Sequence, residues 1–175
     1  MGFDVYGREP ILTCPKPKDP ENYQDMTDDE KHDWHMTVRV PWESDNPGVY
    51  FRASMWSWRP LWQIMLDTCS DIIDKETMDA LCFNDGAGPE DQETCTKIAE
   101  AIESWLECSD WMSKKEYSIE SYDCRVRKDT GEFVSEAELE DEEVWEETRS
   151  AYGIEISHIL EFCRFLRKCG GFQAW

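Results

Sequence analysis

One stretch of this sequence concentrates the side chains best suited to bind an anion and an aromatic ring. From Asn46 to Leu66 there are 21 residues and no acid, although the chain has 39 acidic and 18 basic residues. Within it, residues 50–62 (YFRASMWSWRPLW) carry five aromatic rings and two arginines. Guanidinium groups fork onto phosphate or carboxylate oxygens, and the faces of Tyr and Trp stack on nucleobases. A nucleotide needs both, so the segment predicts a pocket for a small nucleotide-like anion.

The pocket interpretation gives each residue a role, because three rings stack on the ligand and two guanidiniums hold its phosphate. These residues are Tyr50, Trp56, Trp58, Arg52 and Arg59. The alternation of Trp56 and Trp58 on an extended chain predicts that both rings lie on one face. A helix that begins at Pro60 would add its N-terminal amides as anion donors. Two other interpretations stay open: core tryptophans with arginines paired to acids, or a surface that docks a protein.

Outside this segment, the turn Asn84-Asp85-Gly86-Ala87-Gly88 offers two polar side chains. Asn84 and Asp85 would bind the ribose hydroxyls of the ligand, or a metal ion, although the chemistry of a glycine-rich turn also explains the sequence. His32 and His35 are spaced i, i+3 beside aspartates on a short predicted helix. That spacing fits either a metal site or a solvated surface.

No sequence motif assigns a catalytic centre. The chain has no GxSxG, P-loop, GxGxxG, HExxH or DxDxDG pattern. If the protein were a phosphodiester-cleaving enzyme, its catalytic residues would have to be Asp85 and His158. His158 lies in the first turn of the last predicted helix, where it could be either a pocket residue or a surface residue. We therefore assign no catalytic residue, no metal ligand and no cofactor.

The net charge of −21 narrows the classes of partner. Such a chain repels nucleic-acid phosphates and anionic membrane surfaces, so we expect neither partner. Nine acids and no base lie between Glu132 and Glu147, on a predicted helix. This run is either a solvent-exposed face that keeps the protein soluble or a mimic of the DNA backbone that binds a basic host protein. No apolar run approaches the ~20 residues of a membrane span and the start does not resemble a signal peptide, so we expect a cytoplasmic protein.

The eight cysteines do not have the spacing of a zinc ribbon or knuckle, because no pair forms CxxC. Four of them recur every 13 residues, at positions 69, 82, 95 and 108. Gly86 and Gly88 interrupt any helix that would keep these four in line. We predict reduced thiols that pack as small core residues.

The elements that must position these residues alternate between strands and helices. Predicted strands cover 2–7, 36–40 and 117–127, the last returning through a turn at 129–131. Predicted helices cover 28–36, 60–75, 89–106 and 158–169, and an acidic helix starts at a capping box formed by Ser135 and Glu138. The first helix begins at a capping box formed by Thr27 and Glu30. The third has an apolar face made of Cys95, Ile98, Ala99, Ile102, Trp105 and Leu106. The last buries Phe162, Cys163, Phe165, Leu166 and Cys169, carries Arg164 as a cation suited to its negative end, and is stopped by Gly170 and Gly171.

The prediction is a helix-rich α+β fold with a small antiparallel sheet. It is a single domain over 1–175, with a loop and short-helix insertion at 10–46 and a hairpin plus acidic helix at 117–152.

Four segments resemble one family of small proteins from phage and bacterial genomes. They are the start MGFDVYG, the YFR…WRPLW run at 50–62, the NDGxG turn at 84–88 and the end FCRFLRKCGGFQAW. Relatives run almost directly from the first strand to the YFR segment, which makes 10–46 an insertion. Some relatives carry a zinc-knuckle-like pair of cysteines that this chain lacks. The resemblance implies a phage or mobile-element setting, in which small proteins often counter host defences, but no particular activity.

Together these observations predict a non-catalytic protein that captures a small nucleotide-like ligand. Its role would be that of a phage anti-defence protein that sequesters a host immune signal in the host cytoplasm. The main alternative is an acidic DNA mimic, or another inhibitor that binds a basic host protein through residues 132–147. The second alternative is the phosphodiester-cleaving enzyme. The sequence is compatible with a homo-oligomer but does not assign one.

Overall fold

The protein, in a computed structural model, is described over residues 2–83, 85–119, 123–127, 145–149 and 152–175, with only the backbone described in 123–127 and 145–149. The strands are β1 (Gly2–Gly7), β2 (Tyr50–Ser54), β3 (Glu116–Ile119), β4 (Asp123–Arg127), β5 (Trp145–Arg149), β6 (Tyr152–Glu155) and β7 (Phe172–Ala174). The helices are α1 (Asp28–Trp34), α2 (Val40–Asp45), α3 (Met55–Thr68), α4 (Lys75–Ala80), α5 (Gln92–Cys108) and α6 (Ile156–Leu166). These elements confirm the helix-rich α+β fold with a small antiparallel sheet. Within the described ranges, no helix is long and apolar enough to cross a membrane.

Alternation along β1 and β2 gives the central sheet one apolar face and one polar face. The sheet is antiparallel in the order β2–β1–β7, with Asp4 opposite Arg52 and Tyr6 opposite Tyr50. Successive side chains of a strand point to opposite faces. The residues that alternate with these four are buried in the core, namely Phe3, Val5, Phe51 and Ala53. The outer face therefore presents two tyrosines, an acid and an arginine side by side.

Helices α3, α5 and α6 form the layer behind the sheet. α3 and α6 pack against β2, and α5 packs on both of these helices. The predicted apolar stripe of α5 is confirmed, with Cys95, Ile98, Ala99, Ile102 and Leu106 buried. The stripe of α6 is confirmed as well, with Phe162, Cys163, Phe165 and Leu166 buried. Each large apolar side chain removed from water contributes about 1.5–3 kcal/mol, so this layer holds the sheet and its outer face in place.

The chain reverses between α6 and β7 at two glycines. Gly170 and Gly171 have φ values of 65° and 91°, a left-handed backbone region that favours glycine. The last helix ends at Leu166, three residues before its predicted end at Cys169, so the two glycines form the turn that follows the helix and do not cap it. The reversal sends β7 alongside β1, so the sheet is completed by a strand that follows the last helix.

The predicted strand at 36–40 is wrong, because the chain stays helical from α1 through a π-helical turn at His35–Arg39 into α2. The capping box that begins α1 is confirmed, with the Thr27 N–H donating to Glu30 Oε2 at 2.8 Å. Pro41 near the start of α2 has no N–H to donate, and the wider π turn precedes it. The apolar residues of this segment stay exposed, and none of the described strands pairs with them.

Helix α3 begins five residues before Pro60, because Ser54 caps it by accepting the Ser57 N–H at 3.1 Å. Pro60 therefore lies inside the helix and is buried. At 3.6 residues per turn, a separation of two residues turns side chains roughly 200° apart. Trp56 is 40% exposed and Trp58 is fully buried, so the predicted shared face of the two tryptophans is wrong.

Two short antiparallel pairs lie outside the central sheet. The predicted strand at 117–127 is two strands with different partners, since β3 pairs with β6 and β4 pairs with β5. The prediction that the acidic helix covers 145–147 is wrong, because those residues belong to β5. The β4–β5 register sets Arg125 opposite Glu147 and Asp123 opposite Arg149. The predicted turn at 129–131, the Ser135 capping box and the rest of the acidic run to residue 144 lie outside the described residues.

Candidate ligand-binding groove

A groove of about 730 Å³ lies along β2, the terminal strand of the central sheet. Three parts of the chain line it: the outer face of β1 and β2, the helical part of the 10–46 insertion, and α6. The polar lining residues are Tyr6, Tyr50 and Arg52 from the sheet, His35, Arg39, Glu43 and Ser44 from the insertion, and His158, Glu161 and Arg164 from α6. Small-molecule sites have volumes of about 300–1,000 Å³, so the groove has the size of a ligand site.

The groove is locally basic in a strongly acidic chain. Three arginines line it against two glutamates. Arg39 is neutralised by Glu43 at 2.9 Å, whereas Arg52 Nε lies 3.7 Å from Asp4 Oδ1 and its side chain is 68% exposed. Arg164 is exposed and makes no hydrogen bond or ion pair with the described part of the chain. Two guanidiniums therefore face the groove with most of their donors available.

Tyr50 and Tyr6 provide a fixed aromatic surface beside these guanidiniums. Their ring centroids are 5.2 Å apart with planes tilted by 40°. The Tyr50 hydroxyl donates to Asp4 Oδ1, which holds the ring in one orientation. Burial first, and then the hydrogen bond to Asp4, raise the pKa of Tyr50 well above its usual range. The hydroxyl keeps its proton, so Tyr50 is suited to packing against a ligand and not to proton transfer.

Backbone donors of β2 face the same groove. The Gly7 N–H donates to Val49 O at 3.1 Å, and backbone groups in an antiparallel pair point alternately toward and away from the partner strand. Because Val49 bonds to β1, the alternation directs the N–H and C=O groups of Tyr50 and Arg52 away from β1, toward the outer edge of the sheet. The position of His158 agrees with this, since its Nε2 lies 3.0 Å from the Arg52 carbonyl oxygen. Edge N–H groups are neutral donors that suit an anion.

His158 is held by hydrogen bonds at both ring nitrogens. Nδ1 lies 2.9 Å from Glu161 Oε2 and Nε2 lies 3.0 Å from Arg52 O. An ionised carboxylate and a carbonyl only accept, so both bonds form together only when both ring nitrogens carry protons. The ring also stacks on Phe51 at 4.7 Å. His158 thus joins α6 to the edge of β2, and in this geometry neither nitrogen is a free base.

The predicted residues of α3 lie outside the groove. Trp58 belongs to the core, where its indole stacks on Phe3 at 4.8 Å and its Nε1–H donates to Leu81 O at 2.8 Å. Its rings are therefore closed to a ligand. Trp56 stacks on Tyr152 at 4.8 Å, and the Arg59 guanidinium lies 5.6 Å from the centroid of the same ring. Of the five predicted residues of the segment, only Tyr50 and Arg52 line the groove.

Asp85 lies at the opposite edge of the central sheet. Its carboxylate accepts the Ala87 N–H at 3.3 Å, and Ala87 bridges to Ala174 of β7. Three strand spacings separate this position from β2, or about 14 Å at 4.8 Å per spacing. Asp85 therefore meets neither Arg52 nor His158, and the pairing required of a phosphodiesterase is not formed. Asn84 lies outside the described residues.

The sequence patterns missed most of the groove. Arg39 fell in a segment predicted as a strand, and Arg164 was interpreted only as a cation suited to the end of a helix. Tyr6 carried the one usable signal, because pairing of the first strand with the YFR segment would have set it near Tyr50. The rest depends on how the insertion and α6 pack beside β2, which no local pattern encodes.

Cysteines and histidines form no metal centre within the described ranges, where no three His, Cys, Asp or Glu side chains converge on one point. His35 lines the groove, whereas His32 is exposed on α1. The described cysteines are free thiols, and the four buried ones are Cys69, Cys95, Cys163 and Cys169. Burial raises the pKa of Cys163 to about 12, so this thiol is protonated and packs as an apolar group. The side chain of Cys124 is not described.

No protein-family model, no curated protein and no solved structure matches this chain.

Proposed function

We propose that the protein is a non-catalytic binding protein that captures a small nucleotide-like anion in the groove along β2. One observation carries the proposal: Arg164 and the largely exposed Arg52 face one groove in a chain with a net charge of −21. Within the described residues Arg164 has no carboxylate partner, and Arg52 has only the 3.7 Å contact with Asp4. With more than two acids for each base, an arginine that serves only to balance charge would pair closely with an acid. Tyr6 and Tyr50 supply the aromatic surface that a nucleobase stacks on.

The other groups of the groove support binding over catalysis. The Tyr50 hydroxyl is engaged by Asp4, and both nitrogens of His158 are engaged by Glu161 and Arg52. A general base must have a free lone pair within reach of the proton it removes. The resemblance to phage and bacterial proteins extends the proposal to a biological role, in which the captured nucleotide is a host immune signal held in the cytoplasm.

The first experiment is mass spectrometry of small molecules released by heat from purified protein. An intact nucleotide supports capture, and a cleaved nucleotide indicates an enzyme. Absence of a released ligand, together with absence of nucleotide binding in solution, would contradict the proposal and favour a protein partner.

An arginine pair then tests the location of the site. Arg52→Ala should reduce nucleotide affinity by about tenfold or more, since a charge-assisted hydrogen bond contributes about 1.5–3 kcal/mol. Arg59→Ala is the matched control, because its guanidinium lies on Tyr152 outside the groove. Equal affinities of the two variants, or a loss confined to Arg59→Ala, would place the ligand elsewhere. Melting temperatures close to the unmodified protein would show that neither change acts through the fold.

A further inference from the structure

The direction of α6 along β2 fixes where its side chains meet the groove. His158 near the start of α6 is bonded to the Arg52 carbonyl. Beyond its other end, Gly48 packs so closely on Lys168 that an added Cβ would clash with the Lys168 carbonyl oxygen. The helix therefore runs antiparallel to β2, with its start beside Arg52 and its end beside the residues that precede Tyr50.

This direction separates the two guanidiniums that have donors available in the groove, those of Arg52 and Arg164. Arg164 follows His158 by six residues, and a helix rises about 1.5 Å per residue, so the two positions lie about 9 Å apart along the axis. Arg52 is at the His158 end, and Arg164 is toward the Gly48 end. Tyr50 lies between them along β2, with the Tyr6 ring against it. The groove thus has a cation near each end and an aromatic surface between them.

We infer that the ligand carries two separated anionic groups, one held by Arg52 and the other by Arg164, as in a nucleotide phosphorylated on two different positions of its sugar. This inference rests on the proposed function and specifies its ligand class. A ligand with one anionic end would leave one of the two guanidiniums without a ligand anion. A ligand with two would place a phosphate on each arginine and its base over the tyrosine pair, and Arg164 would then determine specificity.

Three adenosine nucleotides separate the number of phosphates from their position. The probes are adenosine 5′-monophosphate, adenosine 5′-diphosphate and adenosine 3′,5′-bisphosphate, titrated calorimetrically into the full chain. The last two carry the same number of phosphates, but only the bisphosphate carries them at separate positions. We expect the bisphosphate to bind about tenfold more tightly than the diphosphate. Arg164→Ala should lower the affinity for the bisphosphate to about that for the diphosphate and so remove this preference.

The control variant is Arg167→Ala, a change three residues further along the chain at an arginine that pairs with Glu103 instead of lining the groove. It should keep the preference for the bisphosphate. Equal binding of the diphosphate and the bisphosphate, or an unchanged preference in Arg164→Ala, would overturn the inference. If Arg52→Ala still weakened binding of all three, the proposed function would stand without it. If none of the three probes bound, both would fall together.

Discussion

Asn46 joins the two ends of the insertion that forms one side of the groove, and its replacement offers the sharpest test of that architecture. The side chain is fully buried. Its Oδ1 accepts the Thr13 N–H at 2.6 Å, and its Nδ2 donates to Trp42 O at 2.8 Å. The loop before α1 is thereby held against the end of α2. Pro47, the next residue in the chain, lines the groove.

Asn46→Ala would leave the Thr13 N–H and the Trp42 carbonyl without their partner. Each buried polar group left unpaired costs about 1–3 kcal/mol, and the part-buried Thr13 N–H belongs at the low end of that range, so the variant should lose about 2–4 kcal/mol of unfolding free energy. For a chain of this size, 1 kcal/mol shifts the melting temperature by about 2–4 °C. We therefore expect a decrease of roughly 4–16 °C in calorimetry. If the insertion opens by itself, the decrease will be smaller, and nucleotide affinity should fall because one side of the groove moves.

Hydrogen exchange provides the local measurement. The Thr13 amide donates directly to Asn46, so its exchange in Asn46→Ala should be faster than in the unmodified chain. Asn22→Ala is the matched control, because Asn22 is exposed in the same insertion and its side chain makes no capping bond. Unchanged protection of the Thr13 amide, with a melting temperature equal to that of Asn22→Ala, would refute the reasoning.

Three further predictions concern the core, acid stability and the acidic run. Trp58→Ala should cost about 3–5 kcal/mol of unfolding free energy, whereas Trp56→Ala at an exposed position should cost far less; equal costs in denaturant titrations would contradict the assignment. Hydrogen bonds from Thr94 lower the pKa of Asp91 below its ordinary 3.8, so this carboxylate stabilises the fold above that pH and the stabilisation is lost as the pH falls through the lowered pKa. The melting-temperature difference between the unmodified chain and Asp91→Ala should therefore be largest at neutral pH and shrink in acid; a difference that grows in acid would reverse the sign. Replacement of four acids by glutamine should leave nucleotide affinity within a few-fold of the unmodified chain; the four are Glu140, Glu142, Glu143 and Glu147. Loss of function with nucleotide affinity retained would favour the acidic inhibitor.

Local signals in the sequence predicted the elements that depend on local chemistry. The capping box at Thr27, the apolar stripe of α5 and the glycine pair after α6 each involve residues within a few positions of one another. The errors arose where a local pattern had two solutions. Residues 36–40 alternate like a strand, but none of the described strands pairs with them and the segment is helical. The Trp56–Trp58 alternation depended on an extended backbone, which the Ser54 cap replaces with a helix.

Only part of the candidate site was predicted. The reason is that the site is assembled from residues far apart in the chain. Tyr50 and Arg52 were found since residue type and the local absence of acids both marked their segment. Arg164 was missed because its side chain matters through the packing of α6 beside β2, more than a hundred residues away in the chain. Trp58 was misassigned because the sequence alone does not distinguish a tryptophan that packs in the core from one that stacks on a ligand. An arginine next to it in the chain is compatible with both.

The position of β1 between β2 and β7 has a consequence for how the protein folds. The β1–β7 pairing joins Val5 to Ala174, nearly the whole chain apart, whereas β1–β2 closes a much shorter loop. Contacts between distant residues form slowly, because the loop entropy is lost before any contact stabilises it. During refolding, we expect the helical layer and the β1–β2 pair to form first and β7 to join last. Because the Gly170–Gly171 reversal couples β7 to the end of α6, the seating of α6 against β2 belongs to that late step. The groove would then be a property of the completed fold alone, so a kinetic intermediate would have no affinity for the ligand.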